Sequence, residues 1–137
     1  MNVTARLLTA LMLVSLTHQS FAMSADADTA SSHAVLVPNS GTYSRAISTD
    51  VTLAQTYFDQ GLRLAWGFYF PESIASYQEA ARLDPSHPMP YWGMAHAMGP
   101  NPNSRYARMP DDPRGEGLAA IKQALRRIDR ATPMEAK

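Results

Sequence analysis

The sequence predicts an all-α fold made of helix–turn–helix hairpins, and three features of residues 53–98 support this prediction. Apolar residues recur there at steps of three and four, which is the spacing of amphipathic α-helices. Prolines mark the boundaries, because Pro71 and Pro88 suit the first turn of a helix and Pro85 ends one. Gly61 lies inside the first predicted helix, where glycine costs about 0.5–1 kcal/mol relative to alanine, so it indicates close packing against a neighbouring helix.

Four helices are predicted in order. The apolar residues of the first three share helical spacing: Leu53, Ala54, Tyr57, Phe58, Leu62, Ala65 and Phe68, then Ile74, Ala75, Tyr77, Ala81 and Leu83, then Tyr91, Met94, Ala95 and Met98. Ser86 is expected to cap the third helix, and Asp112 the fourth. The fourth helix carries one apolar stripe at steps of three, four and three: Leu118, Ile121, Leu125 and Ile128. Residues 99–113, rich in proline and asparagine, predict a long loop before it.

This pattern resembles the tetratricopeptide repeat (TPR), a helix–turn–helix unit of about 34 residues. The residues that carry the resemblance follow the family's order of aromatic, glycine, small residue and closing proline: Tyr57, Gly61, Phe70, Tyr77, Ala80 and Pro85. A second copy begins near Pro88, with Tyr91 and Ala95 at the matching positions. The chain departs from the pattern at Gln60, where the family usually has leucine, and at Ser73, where it usually has alanine.

Four segments are similar to a group of exported bacterial TPR proteins: YFDQGLRL, EAARLDP, MPYWGMA and GPNPN. Proteins of that group are usually several hundred residues long, and a cysteine usually stands where this chain has His87. The resemblance implies an α-solenoid, a stack of hairpins in which the first helix of each pair lines a concave face. It implies no activity.

The first 22 residues have the layout of a signal peptide. Arg6 precedes an apolar run at 7–16, which is too short to span a bilayer, and small residues at Ser20 and Ala22 predict cleavage after Ala22. We therefore expect a periplasmic or secreted protein that is not in the membrane after cleavage. An uncleaved anchor or a buried helix start is the alternative. Residues 23–50 are interpreted as a flexible lead that is open to ordering along the first helices.

Residues 51–137 are then predicted as the TPR-like region, and its C-terminal end looks unfinished. Thr132, Pro133 and Glu135 form a capping box, which predicts a further helix, yet the chain stops at Lys137. We therefore expect truncation of the repeat array and an exposed apolar face on the last hairpin. Missing repeats would cover that face, or a second copy of the chain would cover it by self-association.

Composition and motifs argue against several classes of function. The formal net charge of zero does not favour nucleic-acid binding, and the absence of cysteine excludes disulfide and thiolate–metal chemistry. No catalytic or nucleotide-binding fingerprint is present, so we predict no enzyme and no cofactor. Copper remains an alternative because soft ligands fall within twelve residues: His87, Met89, Met94, His96 and Met98. Helix geometry turns His96 about 200° away from Met94, which favours methionine as core filler.

The preferred function is a non-catalytic protein- or peptide-binding scaffold of TPR type. The alternative is a copper- or small-ligand-binding accessory fragment of a longer protein. The predicted partner-binding residues are aromatic, apolar or polar positions on the concave helices and in the following loop: Phe58, Leu62, Trp66, Trp92, His96, Asn101, Asn103, Arg105 and Tyr106. Packing of the two tryptophans beneath that loop stays open as an alternative.

Overall fold

The computed structural model describes residues 34–101 and 109–137, and within these residues the fold is all-α, as the sequence predicts. Four α-helices follow in order: α1 Thr52–Trp66, α2 Phe70–Leu83, α3 Pro88–Met98 and α4 Pro113–Leu125. A short 3-10 helix, Ile128–Arg130, comes after α4. The predicted signal peptide, 1–22, lies outside the described residues, as does the first part of the predicted lead, 23–33.

Each helix packs against its neighbour in sequence. Helix α1 packs on α2, α2 on α3 and α3 on α4, while α1 also touches α3. Proline in the first turn starts α2, α3 and α4. The cap of α3 differs from the expectation, because His87 rather than Ser86 accepts the Met89 N–H, at 3.2 Å. Ser86 instead donates its hydroxyl hydrogen to Asp84 at 2.8 Å.

The core is centred on the ring of Tyr77, which is fully buried where three helices meet. A Cβ placed on Gly61 of α1 would lie 2.6 Å from the ring carbon Cε1 of Tyr77. A Cβ placed on Gly93 of α3 would approach the same atom even more closely. The ring of Phe58 packs beside Tyr77, with its centroid 5.5 Å away. The close packing predicted at Gly61 is therefore confirmed, and the absence of a side chain at Gly93 makes room for the same ring.

Residues 34–50, which we call the N-terminal segment, contain no helix and lie along α1 in two arms, residues 34–37 and 43–47. The arm at 43–47 runs beside the polar face of α1, where Asp59 accepts from Ser44 and Arg45 at 2.6 and 2.9 Å. A turn at 38–41 connects this arm to the residues before it, and within the turn Asn39 and Gly41 have positive φ of 58° and 103°. These residues belong to the same compact unit as the helices, so the folded part begins before residue 51.

The arm at 34–37 explains why Gln60 stands where the repeat family usually has leucine, because Gln60 bonds to its backbone. The Gln60 side chain accepts from Val37 N–H at 2.8 Å and donates to the Val35 carbonyl at 3.0 Å. It also donates to Ser76 of α2 at 3.0 Å. Ser73, the other departure, donates its hydroxyl hydrogen to the Gly61 carbonyl at 2.7 Å. Each polar residue is buried, and each is satisfied by hydrogen bonds that leucine or alanine does not make.

Helix α4 turns small residues inward and large ones outward. Ala120 and Ala124 are buried, whereas Leu118 and Leu125 are 54% and 60% exposed. An exposed apolar face on the last hairpin is thus present, as expected. The helix ends at Leu125, so Ile128 lies in the 3-10 turn instead of on the helix. In the described part of the chain, no helix is both long and apolar enough to cross a membrane.

Candidate functional site

A groove of about 430 Å³ opens between the turn of the N-terminal segment and the end of α1. Its walls come from both elements: Ser40, Gly41, Thr42 and Tyr43 from the segment, and Arg63 and Trp66 from α1. On a helix of 3.6 residues per turn, Trp66 follows Asp59 and Arg63 along the face that binds the segment. The same polar face that binds the segment therefore positions Trp66 at the edge of the groove.

Arg63 is held in the groove by neutral acceptors. Its Nε donates to the Ser40 hydroxyl at 3.3 Å, and its Nη1 donates to the Tyr43 carbonyl at 2.8 Å. Among the described residues, no carboxylate forms an ion pair with Arg63, and none accepts from Nη2. Because the guanidinium is planar and permanently charged, these two bonds set its orientation without pairing it to a carboxylate.

Four exposed aromatic side chains belong to the groove or to the α1–α2 turn that directly follows Trp66, and we call them the aromatic patch. They are 55–73% exposed: Tyr43 57%, Trp66 73%, Phe68 55% and Tyr69 61%. Phe68 has a φ of +64°, which is unfavourable for a bulky side chain. This conformation ends α1 in a Schellman motif, in which the Phe68 N–H donates to the Ala65 carbonyl at 3.1 Å and the Tyr69 N–H to the Leu64 carbonyl at 2.9 Å. The way in which α1 ends therefore places Phe68 and Tyr69 at the surface.

The structure does not bring the predicted partner-binding residues together. Phe58 and Leu62 are 0% and 5% exposed, so they form the core and present no surface to a partner. Trp66 is exposed and lines the groove. Asn101 is half-buried beside the end of α3, in a second recess. The remaining three predicted loop residues lie outside the described residues: Asn103, Arg105 and Tyr106.

Trp92 and His96 form a separate feature on α3. Their rings stack with centroids 5.3 Å apart and an interplanar angle of 2°, as residues one helical turn apart can do. Trp92 is half-buried against the core, and His96 is exposed. Neither lines the groove at Trp66, so the structure does not join the two predicted tryptophans into one site.

A polar cluster of Ser48, His87 and Glu135 joins three distant segments. The Ser48 hydroxyl lies 3.0 Å from His87 Nε2 and donates to Glu135 at 2.7 Å. The Ser48 N–H also donates to Glu135, at 2.8 Å. Glu135 completes the predicted capping box by accepting from Thr132 N–H at 2.6 Å, while its own N–H donates to the Thr132 hydroxyl at 3.3 Å.

The hydrogen-bond directions in this cluster exclude a serine nucleophile activated by histidine. His87 Nδ1 accepts from Met89 N–H, so the neutral ring carries its proton on Nε2. Nε2 therefore donates to Ser48 and cannot take the Ser48 proton, which is directed to Glu135. Nucleophilic catalysis needs the opposite arrangement, with the base accepting from the hydroxyl. The cluster thus connects the N-terminal segment, the α2–α3 turn and the C-terminal turn.

Burial and hydrogen bonding shift the pKa values in this cluster. Burial lowers the pKa of His87 below its ordinary value, and Arg130 acts in the same direction, whereas Glu135 and Asp84 oppose it. Burial by itself raises the pKa of Glu135, but hydrogen bonds from Thr132 and Ser48 outweigh it and lower the pKa to about 2. The cluster at neutral pH therefore contains a neutral imidazole and an ionised carboxylate.

The residues considered as copper ligands do not converge. Met89, Met94 and Met98 are buried in the hydrophobic core, His87 belongs to the polar cluster, and His96 is exposed. In the segments that the structure describes, no group of three or more histidine or acidic side chains is arranged to hold a metal ion. No observation here favours the copper alternative.

Comparison with known proteins adds no further identification. No family model, no curated protein and no solved structure matches the chain significantly.

Proposed function

We propose that the chain is a non-catalytic protein- or peptide-binding module of TPR type that acts outside the cytoplasm. The observation that carries this proposal is the aromatic patch beside the groove. Soluble proteins rarely expose several large apolar side chains together, and such patches mark interaction sites. Tryptophan and tyrosine are also enriched among the residues that contribute most to binding energy.

The shape of the site favours an extended peptide as the ligand. The groove has one wall of non-helical backbone, residues 40–43, and a second wall formed by Arg63 and Trp66. Irregular backbone offers N–H and C=O groups that a bound main chain can pair with, while the rings provide apolar contact. Preformed grooves of this kind need little reordering on binding, so less of the interaction energy is lost.

Three observations support the TPR-type part of the proposal. The helices pack in sequence order, the ring of Tyr77 fills the space between glycines on α1 and α3, and α4 leaves apolar side chains uncovered. A further hairpin stacked on α4 would cover that face. Export is proposed from the signal-peptide layout of residues 1–22.

Selection from a random peptide library on the immobilised chain tests the proposed function. We expect enriched peptides whose binding is lost in Trp66→Ala, because the variant removes the largest exposed ring of the groove. Leu125→Ala is the matched control, since Leu125 is comparably exposed at 60% but lies on α4. Failure to enrich any peptide, or enrichment that Trp66→Ala leaves unchanged, would overturn the proposal.

A further inference from the structure

We infer that the groove at Arg63 and Trp66 binds an acidic peptide, with a carboxylate on Arg63 and an apolar side chain against the rings of Tyr43 and Trp66. This inference deepens the proposed function and rests on it. It names the chemical class of the ligand, which the exposed aromatic residues alone do not define.

The charge of the groove is the first argument. Among the described residues that line the groove, Arg63 alone is charged, and the others are neutral: Ser40, Gly41, Thr42, Tyr43 and Trp66. Asp59, one helical turn before Arg63, accepts from the Ser44 hydroxyl, the Arg45 N–H and Gln55, and it does not line the groove. The described lining therefore carries the single positive charge of Arg63, which a ligand carboxylate would complement.

The hydrogen-bond donors are the second argument. Ser40 and the Tyr43 carbonyl fix the guanidinium of Arg63 through Nε and Nη1, which leaves Nη2 for a ligand. The Thr42 hydroxyl also lines the groove and makes no hydrogen bond with a described residue. Nη2 and the Thr42 hydroxyl are therefore two unused donors on the lining of one groove, and charge-assisted hydrogen bonds to a carboxylate are roughly twice as strong as neutral ones.

The difference in exposure between Arg63 and the aromatic rings is the third argument, and it favours a peptide over a lipid surface. Arg63 is half-buried, whereas Tyr43 and Trp66 are 57% and 73% exposed. A flat membrane would meet the more exposed rings before it could reach Arg63, whose side chain is tied to Ser40 and Tyr43. A peptide can place an acidic side chain between the rings and lay neighbouring apolar residues against them. The recess therefore suits a chain molecule with a carboxylate next to apolar groups.

A positional peptide library tests the inference on the full chain. Each sublibrary fixes one residue type at its central position, and bound peptide is measured for glutamate against glutamine and for aspartate against asparagine. We expect a five- to tenfold preference for the acidic member, roughly the difference between a charge-assisted and a neutral hydrogen bond. The preference should fall as KCl is raised from 50 to 500 mM, because salt screens exposed charge.

Three variants separate charge from shape. Arg63→Lys should retain part of the acidic preference, whereas Arg63→Gln should abolish it. Because Arg63 also holds the N-terminal segment, Thr42→Val provides an independent variant that touches none of the segment's hydrogen bonds and should lower acidic-peptide binding about threefold. Circular dichroism checks that each variant is folded, and Leu125→Ala should bind as the unmodified chain does.

The outcomes distinguish this inference from the proposed function. Trp66-dependent binding without an acidic preference, or with a preference for basic peptides, overturns the acidic ligand and leaves the peptide-binding function standing. Absence of binding to every sublibrary overturns both. Trp66-dependent binding to phosphatidylglycerol vesicles in place of peptides also overturns both and indicates a membrane-contacting site.

Discussion

Gly61→Ala is the most direct test of the packing around Tyr77. The added Cβ would lie 2.6 Å from Cε1 and 2.8 Å from Cδ1 and Cζ of the ring. Carbon atoms in good contact lie about 3.5–4.0 Å apart, so the ring would have to move by about 1 Å. It has little room to do so, because the backbone at Gly93 closely approaches the same three ring atoms and Tyr77 is fully buried.

The expected magnitude combines two opposing effects. Alanine improves helix propensity over glycine by about 1 kcal/mol, whereas overpacking a filled core costs typically 1–3 kcal/mol and occasionally more. The backbone of two helices confines the ring, so we expect the clash to dominate and Gly61→Ala to lower the free energy of unfolding by about 1–2 kcal/mol. In a domain of this size each kcal/mol corresponds to roughly 4–8 °C in Tm. Gly93→Ala should cost more, because its approach to the ring is closer.

Urea denaturation followed by circular dichroism measures the effect. Gly117→Ala is the matched control, since Gly117 also lies within a helix but its nearest neighbour is the Met98 Cβ at 3.3 Å. We expect that control to be near neutral. Combining Gly61→Ala with Tyr77→Leu should remove most of the penalty, because the smaller side chain leaves room for the new methyl group. The packing argument is refuted if Gly61→Ala is as stable as Gly117→Ala.

Three further predictions concern polar groups. Gln60→Leu should destabilise the fold by about 2–3 kcal/mol and make the N-terminal segment at least tenfold more sensitive to chymotrypsin, because three hydrogen bonds are lost. Tyr77→Phe should be neutral or stabilising by about 1 kcal/mol in thermal denaturation, since the buried Tyr77 hydroxyl makes no well-formed hydrogen bond with a described residue. Ser73 lies close enough to act on this hydroxyl, but its own hydrogen is donated to the Gly61 carbonyl. Glu135→Gln should cost about 1–2 kcal/mol at pH 7 in urea denaturation, because the carboxylate accepts charge-assisted hydrogen bonds from Ser48 and Thr132.

Each of these predictions has a control. Gln78→Leu changes an exposed residue and should leave proteolysis unchanged. Tyr57→Phe should lose about 1 kcal/mol, because the Tyr57 hydroxyl donates to the Ala34 carbonyl at 2.8 Å. Glu116→Gln alters an exposed carboxylate on α4 and should be close to neutral. A stabilised Gln60→Leu, or a Tyr77→Phe variant less stable than Tyr57→Phe, would contradict the corresponding argument.

The pH dependence of stability follows from the same cluster. The pKa of Glu135 is lowered from 4.5 to about 2, so its contribution is present above about pH 4.5 and is lost as pH falls toward 2. The pKa of His87 is also lowered, so the unfolded chain takes up a proton near pH 6.5 that the folded chain resists. Stability should therefore fall as pH drops below about 6.5, and fall less steeply below pH 4.5 in Glu135→Gln. Equal slopes for the two proteins would refute the assignment.

The sequence predicted the helices well because their signals are local. Apolar spacing and first-turn prolines placed all four, and Gly61 correctly indicated a close helix contact. The N-terminal segment was harder, because it has no periodicity of its own. It is ordered by polar side chains of α1, namely Asp59, Gln60 and Arg63, and such pairing between segments leaves no local pattern.

The candidate site was only partly predictable, for a related reason. Trp66 was found because repeat geometry places it on the first helix of a hairpin. Phe58 and Leu62 were chosen by the same reasoning, yet they are buried, since the N-terminal segment and α2 occupy the sides of α1. Tyr43 and Arg63 were missed, because a groove between a loop and a helix exists only once both are folded.

The sequence by itself determined the class of fold, the helix boundaries to within a few residues, and the close packing at Gly61, although not that at Gly93. These properties depend on backbone preferences and on the period of apolar residues, both of which act over a few neighbours in the chain. Tertiary structure alone decided where residues 34–50 lie, which rings are exposed, and that Ser48, His87 and Glu135 meet. Those outcomes require satisfying buried polar groups across large sequence separations, so they depend on how the helices are assembled.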